Sequence, residues 1–325
     1  MKKAFLYPTL RCNTSCKMCY MKNHYSNTID MPLDYAHHIL TELKSCGTER
    51  ITFLGGEPTL YPYINEVLWY AKEIKLPFIR LQTNGQFSNE LFNSEVIIRC
   101  VDAFSFSLDG HTEQLNNMSR TGCNFNLLVQ NIKNSVKLGK LTSVNIIVTA
   151  HNIDYIMDII DFVVQIGVEV IYINIVFSGG GAKGLEDLFN NIAIKWDKAC
   201  EQLTSYQCNN KLRIKFPIPI NRIYKDKGIY TRNDMDCLYI MPNGDKFTCV
   251  MMVDKPEYAI GNAKSKCFFY TNNCPYMDSN QNCIMQFNDN ITQEKPRCLY
   301  CRQEIIYGGN VHENASIKNS YNAVL

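Results

Sequence analysis

Cys12-Asn13-Thr14-Ser15-Cys16-Lys17-Met18-Cys19 places three thiols within eight residues. The segment just before it, Ala4–Leu10, reads as a short apolar strand that delivers the chain into this loop. Three thiolates at this spacing can cap three irons of a four-iron cluster and leave the fourth iron without a protein ligand. Protein iron–sulfur clusters usually take four cysteines, so three imply an open coordination position. A structural zinc ion is the alternative, and it requires a fourth ligand. His24 is the one histidine close by.

Outward from this loop, strand-like and helix-like segments alternate. Strands are expected at Ala4–Leu10, Arg50–Leu54, Phe78–Thr83, Ala103–Leu108, Thr142–Thr149 and Glu169–Val176. Helices are expected at Pro32–Cys46, Tyr63–Ile74, Glu90–Cys100, Phe125–Leu138, Tyr155–Gly167 and Ile192–Ser205. Gly47 stands where a helix C′ residue belongs. Each helix can carry the crossover between two parallel strands, so the alternation predicts an α/β fold with a parallel sheet. Six such units suit a partial (β/α)6 TIM-like barrel rather than a closed eightfold one.

From about Lys211 the alternation stops and cysteines become dense. We therefore expect a barrel over residues 1–210, a smaller, irregular cysteine-rich C-terminal domain over 211–310, and a polar tail over 311–325. The chain has 325 residues, enough for this division. A formal net charge of +2 gives no bulk attraction to nucleic acid or to an anionic membrane, and neither is expected as a partner. No run approaches the roughly 18 apolar residues of a membrane span. The N-terminal residues lack the pattern of a secretory signal. Fifteen cysteines in such a chain favour metal ligands and free thiols over disulfides, and a cytoplasmic location.

With these elements in place, the cysteine loop resembles that of the radical S-adenosylmethionine (SAM) superfamily, C-x3-C-x2-C after the first strand of a partial barrel. Met18 departs mildly, since an aromatic residue often precedes the third cysteine in that family, and Tyr20 follows it here. The resemblance implies a [4Fe-4S] cluster on Cys12, Cys16 and Cys19, whose open iron takes the amino and carboxylate groups of SAM. One electron then cleaves the sulfonium to methionine and a 5′-deoxyadenosyl radical, which abstracts a substrate hydrogen. Gly55-Gly56-Glu57-Pro58 resembles the family motif that binds the methionine amino group, with Glu57 as acceptor. Thr83 and Asn84 close the third strand. Ser107 and Asp109, in Ser-Phe-Ser-Leu-Asp-Gly, resemble the segment near the cofactor ribose, and Arg120 a position near its carboxylate. Asn145 and Thr149 are candidates for the ribose or adenine. Each of these polar residues, taken singly, can equally be a helix cap or turn former.

The later cysteines resemble the auxiliary-cluster domains called SPASM and twitch. Cys237 and Cys249 bracket Gly244 as C-x6-G-x4-C, and Cys298 and Cys301 form a C-x2-C pair. The dense cysteine block of a full SPASM domain is absent. The expected arrangement is one auxiliary [4Fe-4S] cluster on Cys237, Cys249, Cys298 and Cys301, with a second on Cys267, Cys274 and Cys283 as a further option. The resemblance implies an enzyme that modifies a ribosomally synthesised peptide by crosslink, thioether or epimerisation. Its partners would be a separate leader-peptide recognition protein and an electron donor such as flavodoxin or ferredoxin. The alternatives are a small-molecule radical dehydrogenase or rearrangement enzyme with one auxiliary cluster as electron acceptor, and a zinc-stabilised binding module.

Overall fold

The structure is a computed structural model that describes residues 3–22, 29–177, 179–210, 212–217, 237–247, 250, 253, 259 and 261–262. Its centre is a ten-stranded sheet in the order β12-β11-β10-β1-β3-β4-β5-β7-β8-β9. The six expected strands are β1 (Lys3–Thr9), β3 (Arg50–Gly55), β4 (Ile79–Thr83), β5 (Ala103–Ser107), β7 (Leu141–Val148) and β8 (Val170–Ile175). All six run parallel, neighbour to neighbour. The partial-barrel α/β class expected from the alternation is the one observed.

Two further parallel strands extend the sheet, one on each side. β9 (Arg213–Lys215) pairs with β8, and β10 (Cys237–Ile240) pairs with β1. β11 (Asp245–Phe247) and β12 (Gly261–Asn262) continue antiparallel from β10. The sheet thus draws strands from both sides of residue 210. Most of the segment expected to form a cysteine-rich domain, and the whole polar tail, lie outside the described residues.

Crossover helices cover the outer face. α1 (Leu33–Ser45) buries Ala36, Ile39, Leu40 and Leu43, and α2 (Ile64–Glu73) buries Ile64, Val67, Leu68 and Ala71. These residues recur at helical spacing, so one apolar stripe of each helix meets the sheet. α6 (Phe125–Lys137) and α7 (Ile156–Gln165) do the same, the latter through Ile156, Ile159, Ile160 and Val163. Each such side chain contributes about 1.5–3 kcal/mol on leaving water. α8 (Ile192–Asn210) is anchored by Trp196, fully buried against Phe216.

Two local expectations change. Glu90–Cys100 is two short helices, α3 (Asn89–Phe92) and α4 (Glu95–Cys100), because Ser94 adopts an extended conformation and caps Ile97 N–H. An unexpected helix, α5 (Glu113–Ser119), follows β5; the hydroxyl of Thr112 caps it by accepting from Leu115 N–H. Directly after it, β6 (Arg120–Thr121) pairs antiparallel with β2 (Ser15–Cys16), inside the cysteine loop. No helix among the described residues is long and apolar enough to cross a membrane.

Candidate functional site

The C-terminal ends of the strands converge on the cysteine loop, which borders a cavity of about 380 Å3 running into the sheet's concave face. Its walls are built from alternate strand residues: Arg80 and Gln82 on β4, Ser105 and Ser107 on β5, Asn145 and Ile147 on β7, Tyr172 and Asn174 on β8. Successive strand residues point to opposite faces, so a strand such as Ser-Phe-Ser places serines in the cavity and phenylalanine under the helices.

Four neighbouring segments fix the cysteine loop. The first is Gly55-Gly56-Glu57, where Gly56 N–H donates to Thr9 O at 3.1 Å and Glu57 N–H to Arg11 O at 2.6 Å. A Cβ on Gly56 would lie 2.0 Å from Arg11 O, and one on Gly55 would lie 2.3 Å from Thr9 O. The glycines are therefore required by the close approach of another backbone, the one that starts the cysteine loop. The second is the turn after β4. Asn84 Nδ2 donates to Asn13 Oδ1 at 2.8 Å and lies 3.7 Å from Cys12 Sγ, while Asn13 Nδ2 donates to Gln86 O. Third, the β2–β6 pairing brings Arg120 Nη1 to 3.9 Å from Cys16 Sγ. Fourth, Gly181 N–H donates to Cys19 O at 2.7 Å, and a Cβ on Gly180 would meet the Tyr20 backbone at 2.4 Å. Gly180 and Gly181 thus back the cysteine loop.

Glu57 is fully buried, and protein donors occupy its carboxylate. Oε1 accepts from the hydroxyls of Thr59 and Thr83, each at 2.7 Å, and from Thr59 N–H at 3.2 Å; Oε2 accepts from Asn84 N–H at 2.7 Å. Burial pushes its pKa up against these four bonds. In this geometry Glu57 ties the ends of β3 and β4 together and does not border the cavity, and neither does Pro58. Gly55, Gly56, Thr83, Asn84, Ser107, Arg120, Asn145 and Tyr20 do border it. Asn145 Nδ2 donates to Ser105 Oγ at 2.7 Å, and the Tyr20 hydroxyl meets that of Tyr7 at 2.8 Å.

Asp109 and Thr149, also candidates, are fully buried beside the cavity rather than in it. Asp109 forms an ion pair with Arg120, Nε to Oδ2 at 2.7 Å, and accepts from Arg120 Nη2 at 3.1 Å, Ser119 Oγ at 3.2 Å and Ile147 N–H at 2.7 Å. Burial alone would lower the Arg120 pKa, but the Asp109 carboxylate outweighs it and holds the guanidinium charged. Thr149 lies past the end of β7, where its N–H donates to Asn152 Oδ1.

The donor set of the loop fits an iron–sulfur cluster. All three thiols border the same cavity, and Cys12 and Cys16 lie near the Thr14 hydroxyl, at 3.4 and 3.8 Å. Thr14 and Asn84 beside Cys12, and Arg120 beside Cys16, are placed to donate to the sulfurs of a bound cluster. Among the described residues, no three His, Cys, Asp or Glu side chains gather tightly enough to hold a single ion. Thiolates that cap three separate irons stand wider apart than the ligands of one zinc ion. Replacing all three cysteines by alanine is expected to abolish iron binding at this loop, read as loss of the corresponding charge-transfer absorbance after anaerobic reconstitution.

Residues 6–163 match the radical SAM superfamily. The chain carries a radical SAM domain. The matched residues contain the end of β1, the cysteine loop, and β3, β4, β5 and β7. Among curated proteins, the chain is 27% identical over 186 residues to mycofactocin maturase MftC of Mycobacterium ulcerans, covering 55% of this chain and 49% of the relative. It is 30% identical over 115 residues to an S-adenosylmethionine-dependent nucleotide dehydratase of Danio rerio, covering 34% of this chain and 31% of that one. The chain thus spans half or less of the length of these relatives. Among solved structures, Streptococcus suis SuiB bound to precursor peptide SuiA superposes with a TM-score of 0.66 at 18% identity, over 81% of this chain and 62% of that one. The anSMEcpe structure with bound AdoMet gives a TM-score of 0.62 at 17% identity, over 81% and 78%. At such identities the likeness concerns the radical SAM fold.

Of the expected auxiliary ligands, Cys237 lies at the first position of β10, in register with Lys3, and borders the cavity. About 20 Å of strand separates that end of β1 from its exit into the cysteine loop, at roughly 3.3 Å per residue. Cys249, Cys267, Cys274, Cys283, Cys298 and Cys301 lie outside the described residues. Cys100, Cys123 and Cys200 are buried and Cys46 is exposed, in keeping with core and surface thiols; burial pushes the Cys123 thiol up to about 11.

Proposed function

We propose that this chain is a radical SAM peptide maturase. The observation that carries the reading is the placement of Cys12, Cys16 and Cys19 along one cavity inside a partial barrel, together with Gly55, Gly56, Ser107, Arg120 and Asn145. Cys12, Cys16 and Cys19 hold the [4Fe-4S] cluster, and Tyr20, Gly55, Gly56, Thr83, Asn84, Ser107, Arg120 and Asn145 face SAM. Glu57, Pro58, Asp109 and Thr149 act from behind, as positioning residues for that wall. When bound, the cluster supplies the electron that cleaves the SAM sulfonium and so makes a 5′-deoxyadenosyl radical available for hydrogen abstraction.

The chain's own residues do the rest. Gly55 and Gly56 leave backbone exposed to the cavity, which suits the methionine end of SAM. Arg120, kept charged by Asp109, offers a cation near Cys16 for a carboxylate. Asn145 and Ser107 offer amide and hydroxyl groups to the ribose hydroxyls. Cys237, Cys249, Cys298 and Cys301 hold an auxiliary [4Fe-4S] cluster, with Cys267, Cys274 and Cys283 available for a second. Peptide substrates are supported by the relatives: MftC is a maturase, and SuiB was solved with a precursor peptide. The nucleotide dehydratases among the relatives support a small-molecule substrate as the second reading. A flavodoxin or ferredoxin would deliver electrons, and a separate protein would present the leader peptide.

The test is anaerobic incubation of the reconstituted chain with SAM, a reductant and the short peptides encoded beside its gene. A peptide mass change matched to 5′-deoxyadenosine release is expected. Release of 5′-deoxyadenosine with every peptide unchanged, but with turnover of a nucleotide, would replace this reading by the second.

A further inference from the structure

One carboxamide in the cavity wall has no role in the chemistry above. Gln82 on β4 is half-buried and borders the cavity, while Leu81 before it is fully buried in the core. Strand alternation accounts for the difference. The other carboxamides that border the cavity are already engaged. Asn84 Nδ2 donates to Asn13 Oδ1 at 2.8 Å, and Asn84 Oδ1 accepts from Gln86 N–H at 2.9 Å. Asn145 Nδ2 donates to Ser105 Oγ at 2.7 Å, and Asn174 has a partner as well. Nothing among the described residues engages the carboxamide of Gln82. Its cross-strand neighbour is Ser105, in register on β5. Ser105 Oγ accepts from both Asn145 and Ser143, so its lone pairs are used and it offers Gln82 no acceptor.

Depth decides which molecule meets this group. Asn84 lies against the cysteine loop, its Nδ2 3.7 Å from Cys12 Sγ. By strand register Asn84, Ser107 and Asn145, all assigned to SAM, stand at one level of the sheet, and Gln82 and Ser105 stand at the next level inward. Two residues of strand separate the levels, about 7 Å at roughly 3.3 Å per residue. A molecule that shares the cavity with SAM therefore runs along Gln82. The side chain also projects from a paired strand rather than a loop, so its base is held rigidly.

We infer that Gln82 is a substrate contact whose carboxamide pairs with a peptide unit of the substrate beside the residue to be modified. The inference rests on the reading of this chain as a peptide maturase. A carboxamide presents a donor and an acceptor side by side, which is the complement of a peptide N–H and C=O. It carries no charge, so it holds the backbone without selecting a charged side chain. Gln82 then acts as a positioning residue, fixing the substrate backbone one level below the groups that face SAM. A substrate that left this amide unpaired in the closed cavity would forfeit the water bonds it displaces, which favours substrates that replace them.

The test is ester scanning of the peptide that the reconstituted full chain modifies, taken from the short peptides encoded beside its gene. An ester oxygen in place of one backbone N–H removes a donor and keeps the shape. With the wild-type chain, the ester at one position near the modified residue should raise KM about tenfold, and esters elsewhere should change it little. Gln82→Met has similar size but neither donor nor acceptor, and should raise KM for the all-amide peptide by about the same factor. In that variant the ester should add nothing, because its partner is already gone. Gln82→Glu keeps acceptor oxygens and should restore part of the affinity together with its sensitivity to the ester. Gln130→Met, on the exposed face of α6, should match the wild type. Retained SAM binding checks that each variant is folded. KM unchanged in Gln82→Met overturns the inference, as do ester and Gln82→Met effects that simply multiply. SAM affinity lost in step with peptide affinity would assign Gln82 to SAM instead. In all three cases the wild-type chain still converts the peptide, so the maturase reading stands and only this contact falls. If the wild-type chain converts no peptide, the maturase reading itself falls and takes the inference with it.

Discussion

Gly56→Ala is expected to destroy the site with a single methyl group. The added Cβ would lie 2.0 Å from Arg11 O and 2.6 Å from Leu10 O, both backbone atoms that no side-chain rotation can move aside. Relief requires the start of the cysteine loop to shift away from β3, which breaks the Gly56 N–H to Thr9 O and Glu57 N–H to Arg11 O bonds. Overpacking of this kind costs about 1–3 kcal/mol, and two hydrogen bonds add about 1 kcal/mol each. A loss of about 3–5 kcal/mol is expected in anaerobic urea unfolding, together with a several-fold fall in iron retained after reconstitution. Gly139→Ala is the control. Gly139 has a positive φ, +67°, which Gly56 does not, but a Cβ there meets nothing within 4 Å. It should cost about 1–2 kcal/mol and leave iron content unchanged. Equal iron loss in both variants would show that close backbone packing is not what Gly56 provides.

Asp109→Ala should be nearly as severe, by an electrostatic route. Arg120 is buried, and Asp109 is the carboxylate that neutralises it. Removing one partner of a buried pair leaves an uncompensated charge, at a cost of about 3–5 kcal/mol. Ser119 Oγ and Ile147 N–H would lose their acceptor as well. Against a typical total of about 5–15 kcal/mol this is a large fraction. Asp109→Asn, which keeps the shape and one acceptor oxygen, should lose less stability but still release the guanidinium. Because Arg120 Nη1 lies 3.9 Å from Cys16 Sγ, weaker SAM binding is expected even where Asp109→Asn folds. Unaltered SAM affinity in that variant would confine Asp109 to a role in stability.

Several features of this site were legible in the chain. Cysteine spacing requires no tertiary information, since three thiols on eight residues are adjacent however the rest folds. Polar residues alternate with apolar ones in Arg80-Leu81-Gln82 and Ser105-Phe106-Ser107, but only the folded sheet shows that they line one interior. Apolar spacing placed the expected helices, except that α8 runs on to Asn210, that Ser94 interrupts another, and that the Asn- and Ser-containing α5 has weak intrinsic preference.

The roles of individual residues were not legible in the same way. Glu57 and Asp109 read as ligand-facing carboxylates, yet the folded chain surrounds each with its own donors. A sequence shows that a carboxylate follows a strand; it does not show whether Asn84 N–H or an external ammonium reaches it first. The backing of the cysteine loop by Gly180 and Gly181, and the pairing of Cys16 with Arg120, join residues more than a hundred positions apart.

The sequence by itself determined the alternating α/β architecture and the three-thiol loop after its first strand. Both follow from short-range periodicity and spacing. Only the tertiary structure decided which polar groups remain open to a ligand, Gln82 among them, and which are engaged by the chain itself. Those outcomes depend on strand register and on how closely backbones pack, and no local pattern in the chain encodes either.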